Sequence, residues 1–101
     1  MNTKLEWTTV HKRADELIPQ KINPRIIKEK QMNDLKNSLE KFNLVELPVI
    51  DSEGTILAGH QRLKALKLLG RGEELIEVRI PNRKLTEEEA NQYLIASNAL
   101  G

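Results

Sequence analysis

The chain has 101 residues, enough for one domain with a modest core and too few for two. It is 39% hydrophobic and 31% charged, the balance of a globular chain, and it has no cysteine, which excludes disulfides, thiolate metal sites and cysteine-based catalysis. With 16 Lys and Arg against 15 Asp and Glu the net charge is +1, so any contact with nucleic acid must be local rather than a broad basic surface.

No apolar run nears the roughly 20 residues of a membrane span. Met1 to Trp7 also lacks the basic-then-apolar order of a secretory signal, so a cytoplasmic setting without a membrane partner is expected. His11 and His60 are far apart, with no Asp or Glu around them at ligand spacing, and no metal site is expected.

In chain order, Leu5 to Val10 has the β-branched and aromatic content of a strand, with His11 to Arg13 leading out of it. Asp15 to Pro19 reads as a turn. Gln20 to Arg25 reads as a loop, because Asn23-Pro24 is a turn signal that disfavours helix at Asn23. From Gln31 to Phe42 the apolar residues Met32, Leu35, Leu39 and Phe42 recur at helical steps, while Asp34, Lys36, Glu40 and Lys41 fill the other face. Lys28, Lys30, Lys36 and Lys41 are most simply a solvated helix face. Leu47 to Ile50 is a short apolar strand with Pro48 at its start or on an edge. Asp51 to Gly54 then turns it into a second strand, Thr55 to Leu57, as a hairpin.

The next helix is expected from His60 to Leu69, with Leu63, Ala65, Leu66 and Leu69 toward the sheet, Lys64 and Lys67 toward water, and Gly70 and Gly72 at its stop. Leu75 to Ile80 alternates as a half-buried strand that Pro81-Asn82 ends. Thr86 and Glu89 have capping-box spacing and open a helix through Ala90, Tyr93, Leu94 and Ala96. The fold class is α+β, a small mixed sheet with packed helices.

The segment Thr55 to Gly70 carries the functional signal. It is a strand, a glycine turn and a helix whose first turn holds His60, Gln61 and Arg62. Gly59 lacks a Cβ, so the chain can turn sharply and a ligand can come close, while the new helix directs its first N–H groups outward. Arg62 adds a planar positive fork suited to phosphate oxygens. Gly59, His60, Gln61 and Arg62 are therefore the candidate anion-binding residues.

Taken together, Asn23-Pro24-Arg25, a helix, Leu47-Pro48-Val49-Ile50, a hairpin, Ala58-Gly59-His60-Gln61-Arg62-Leu63-Lys64-Ala65 running to Gly70, a strand and Leu85-Thr86-Glu87-Glu88-Glu89 resemble the N-terminal ParB/sulfiredoxin-like domain, from about Leu17 to Leu100. Chromosome-partitioning members usually read Gly-Glu-Arg-Arg at the turn; here Gly59 and Arg62 match while His60 and Gln61 depart. The Gly-His-x-Arg form is similar to ParB-like domains found in phage proteins and attached to DNA methyltransferases.

The resemblance implies that the turn holds the phosphates of a nucleoside triphosphate, CTP or ATP with Mg²⁺, with Arg25 of the Asn-Pro-Arg segment and Asn98 of the last helix lining the same pocket. It implies DNA as a partner through a full-length protein of which residues 1–101 are a single, N-terminal domain, and it leaves a homodimer open. Sulfiredoxins carry a cysteine in the corresponding turn, so their activity is excluded here.

Three functions follow from these residues and what the resemblance implies. The first is a nucleotide-binding module, non-catalytic or a weak NTPase, in a DNA-associated protein of partitioning, phage or DNA-modification context. The second is a nuclease or a nucleotide-dependent phosphotransferase, with His60 as the candidate base; Asp51, Glu53, Glu73 and Glu74 sit in turns without the spacing that gathers a divalent ion. The third is a non-catalytic protein-interaction domain with an empty turn.

Overall fold

The computed structural model describes residues 4–20 and 27–100, with side chains described as far as Ala96. Strand β1 (Trp7–Arg13) leads into a single 3-10 turn, Ala14–Glu16. Helix α1 (Glu29–Phe42), strands β2 (Val49–Ile50) and β3 (Ile56–Ala58), helix α2 (His60–Leu68), strand β4 (Leu75–Pro81) and helix α3 (Glu87–Leu100) follow. The strands form one mixed sheet in the order β1-β4-β2-β3, the expected α+β arrangement. β1 and β4 pair antiparallel, β2 and β3 form the expected hairpin, and β2 and β4 run parallel. The parallel pair requires a crossover, which α2 supplies between β3 and β4.

Pro48 is buried immediately before β2. It has no N–H to give, and its carbonyl accepts the Arg79 N–H at 2.9 Å, so the proline joins the central strand without an orphaned donor. On the outer edge of β3, the Ile56 N–H donates to the Ile18 carbonyl at 2.8 Å and Gln20 Nε2 to the Ile56 carbonyl at 3.0 Å. The chain that enters residues 21–26 therefore runs alongside the strand that delivers Gly59.

One face of the sheet carries the main core. Ile50, Ile56, Ile76 and Val78 meet Leu63, Ala65 and Leu66 of α2 and Leu39 of α1, with Met32 and Leu35 partly buried beside them. Leu63 and Leu66 are 1% and 0% exposed, and burying a leucine is worth about 1.5–3 kcal/mol. A helix as short as α2 is thus held by its packing more than by its own propensity. Its end is fixed too: Gly70, at φ 75, donates to the Lys67 carbonyl at 3.0 Å and Arg71 to the Leu66 carbonyl at 2.9 Å, a Schellman closure. Leu57 alternates to the opposite face from Ile56 and is buried apart from this cluster, as is Leu85, while Trp7 and Tyr93 pack at 5.8 Å between ring centroids.

Strand β1 and helix α1 depart from the sequence reading at three points. β1 begins at Trp7 rather than Leu5 and runs through His11 to Arg13, because the ladder continues with His11 opposite Glu77 and Arg13 opposite Leu75. α1 begins at Glu29, where Gln31 Oε1 accepts the Lys28 N–H at 3.0 Å. Phe42, expected on the apolar face, is 62% exposed. α1 stops there, and Asn43 at φ 63 turns the chain so that Leu44 takes the packed position. Arg71 secures that end, donating to Asn43 Oδ1 at 2.7 Å and the Leu39 carbonyl at 3.4 Å while paired with Glu74 at 2.7 Å.

Candidate functional site

The site begins in the β2–β3 turn. Asp51 Oδ1 accepts the N–H groups of Glu53 and Thr55, both at 2.9 Å, and Gly54 at φ 90 completes the reversal. β3 then carries the chain to Gly59, the residue before α2, at φ 95 and ψ 17. An L-residue pays steric strain in that left-handed region. A Cβ there would also lie 3.1 Å from both Cα and Cβ of Pro48. Conformation and close packing therefore demand glycine independently.

α2 opens with no acidic residue in its first turn, so the positive end of its dipole is not offset by its own side chains. Gln61 and Arg62 line a cleft of about 360 Å³ whose opposite wall is Ile27, Gln31, Asp34 and Leu35 from α1 and the residues just before it. The mouth of the site is thus the gap between the two helices. Arg62 is 36% exposed, and its Nη2 lies 2.7 Å from Oε2 of Glu46, itself 73% exposed in the α1–β2 loop.

His60 behaves differently from its neighbours. It is not among the described residues lining the cleft, and its Nε2 is buried without a hydrogen-bond partner. Burial holds the imidazole below its ordinary value and keeps it neutral at pH 7. That nitrogen is closed to solvent, while the residue as a whole is half-buried. Lys64 is exposed on α2, as expected for its solvated face.

The remaining candidates fall at the margins. Arg25 lies outside the described residues. Asn98 lies in the last turns of α3, and its side chain is outside the described set. Of the turn carboxylates, Asp51 is used inside its own turn, Glu53 lies 3.5 Å from Lys84, and Glu74 pairs with Arg71. Among the described residues no three His, Asp or Glu side chains gather as a metal centre, and no helix is long and apolar enough to cross a membrane.

Sequence reasoning overlooked Glu46 and the α1 wall of the cleft. Glu46 carries no local signal, being an isolated charge in a loop; only the docking of α1 beside α2 brings it and Asp34 near Arg62.

The fold is that of the N-terminal domain of ParB proteins. A Pnob8-like ParB-N domain, solved in a C222₁ crystal form, superposes with a TM-score of 0.77 at 17% identity over 99% of this chain and 40% of that one. The C-terminally truncated chromosome-partitioning protein ParB from Caulobacter crescentus, solved with CTP-gamma-S, superposes with a TM-score of 0.73 at 21% identity over 93% of this chain and 54% of that one. The chain thus spans about half or less of the length of these structures. No family model matches the sequence, and no curated protein matches it.

Proposed function

We propose that the turn from Gly59 to Arg62, with the cleft against α1, binds the phosphates of a nucleoside triphosphate, CTP or ATP with Mg²⁺. The observation that carries the reading is Gly59 itself: a left-handed glycine pressed against Pro48 opens a helix that has no acid in its first turn and sets Arg62 at a cleft. Backbone N–H groups, a permissive glycine and a guanidinium in one place are what an anionic ligand needs. The neighbour solved with CTP-gamma-S supports a nucleotide over other anions.

In this reading Gly59 makes the left-handed turn that opens α2, Gln61 and Arg62 face the ligand, and half-buried His60 shapes the turn with its Nε2 closed to solvent. Arg25 and Asn98 belong to the same pocket by resemblance. The module acts within a longer cytoplasmic protein that engages DNA, in a partitioning, phage or DNA-modification setting.

Calorimetric titration with CTP, ATP and GTP, with and without Mg²⁺ and DNA and beside pyrophosphate and sulfate controls, tests this. Arg62→Ala should remove a charge-assisted contact of about 1.5–3 kcal/mol, a loss of about tenfold to a hundredfold in affinity, while Lys64→Ala should change little. If nothing binds in the millimolar range, the interaction-domain reading replaces this one.

A further inference from the structure

Resting on the phosphate-binding reading above, we propose that Glu46 is an internal competitor for the ligand: its carboxylate pairs with the Arg62 guanidinium at the edge of the cleft, and an incoming phosphate must displace it. Glu46 Oε2 lies 2.7 Å from Arg62 Nη2, within the range of a charge-assisted hydrogen bond. A guanidinium offers its N–H groups in a fixed planar fork, and the group that points at a carboxylate is the one a phosphate oxygen would use. Asp34 stands in the cleft wall opposite Arg62 and Gln61, and Glu46, though not itself a lining residue, brings a second negative charge to the same guanidinium.

The pair is built to open. Glu46 is 73% exposed, beside the exposed Val45 in the irregular chain between α1 and β2, where a side-chain rotation breaks no strand or helix bond. Arg62 stands on α2, which the core holds fixed through Leu63 and Leu66. The movable partner is therefore the acid and the fixed partner is the base, the arrangement in which a ligand displaces the carboxylate and leaves the receptor in place. Glu46 thereby filters ligands: a single weak anion gains little by replacing a carboxylate, whereas a polyphosphate gains contacts with the helix start as well.

The test is calorimetric titration of the full chain with pyrophosphate, CTP and ATP, comparing the unaltered protein with Glu46→Gln and with Glu16→Gln. Glu16 is exposed at the end of the 3-10 turn, and its variant changes net charge by the same amount away from the cleft. Glu46→Gln should tighten binding about two- to fivefold, the range that loss of an exposed ion pair allows, with Glu16→Gln near the unaltered value. Weaker or unchanged binding in Glu46→Gln, while the unaltered protein binds, would show that Glu46 positions Arg62 or is neutral, and would overturn this inference alone. Equal tightening in both variants would assign the effect to net charge and overturn it as well. If no form binds any of the three ligands, the phosphate-binding reading fails and this inference fails with it.

Discussion

The two helices that flank β4 start in opposite ways. At α3, Glu89 N–H donates to Thr86 Oγ1 at 3.1 Å, Thr86 N–H donates to Glu89 Oε1 at 2.9 Å, and Arg83 grips both carboxylate oxygens of Glu89 at 2.8 Å. Three acids, Glu87, Glu88 and Glu89, offset the dipole of that first turn. At α2 the residue before the helix is a left-handed glycine, the first turn carries no acid, and its arginine reaches a loop glutamate instead. One start is capped by its own side chains; the other has neither a side-chain cap nor an acid in its first turn. The contrast separates a helix terminus whose cap is written in its own residues from one that lacks such a cap.

The largest test concerns what holds the open start in place. Leu66→Ala should destabilise the domain by about 2–5 kcal/mol in urea unfolding, because Leu66 is fully buried and its removal leaves a cavity beneath α2. If the loss were only that of a surface substitution, α2 would not be core-anchored and the site would have no rigid base.

The two N-termini can then be exchanged in effect. Gly59→Ala should cost about 1–3 kcal/mol, since alanine must hold a left-handed backbone and meet Pro48 at 3.1 Å, and it should also weaken nucleotide binding. Thr86→Ala should cost a similar or smaller amount of stability, about 0.5–2 kcal/mol, and leave nucleotide binding unchanged. Unfolding midpoints and calorimetric affinities on the same samples check the pair. Equal losses of binding would erase the distinction between the two starts.

The smallest effects are pH-dependent and differ in window. Arg83 and the Thr86 N–H hold the Glu89 carboxyl down at about 2, from an ordinary value of 4.5. The stability it contributes is therefore present above 4.5 and lost as pH falls from there through about 2, and Glu89→Gln should flatten that part of the profile. For His60, burial lowers the value from 6.5. Below 6.5 the unfolded chain takes up a proton that the folded chain resists, so stability falls as pH drops beneath 6.5, and His60→Asn should remove the slope. Urea midpoints between pH 2 and 8 resolve the two windows; a slope unaltered in His60→Asn would mean that the imidazole is solvated after all.

The sequence by itself determined the features that are written within a few residues. The helical recurrence of Met32, Leu35 and Leu39 marked α1, the alternation around Ile76 and Val78 marked β4, and the Thr86–Glu89 spacing marked a cap that forms as read. Gly59 was legible as the sharp turn before α2, and its left-handed backbone bears that out, while the close contact with Pro48 was not written in the local sequence. These signals are local because periodicity and capping act over a single helical turn or a pair of strand residues.

Only the tertiary structure decided the rest. β1 runs on to Arg13 because β4 offers it partners, against the polar character of His11-Lys12-Arg13. β2 and β4 lie parallel because α2 crosses between them. Phe42 loses its place in the core because Asn43 ends α1 and hands that position to Leu44. Within the site, His60 Nε2 is closed to solvent while Gln61 and Arg62 line the cleft, and Arg62 meets Glu46 of the α1–β2 loop. Residues distant along the chain meet only once a shared apolar core has docked their helices, and that docking energy belongs to no single segment of sequence.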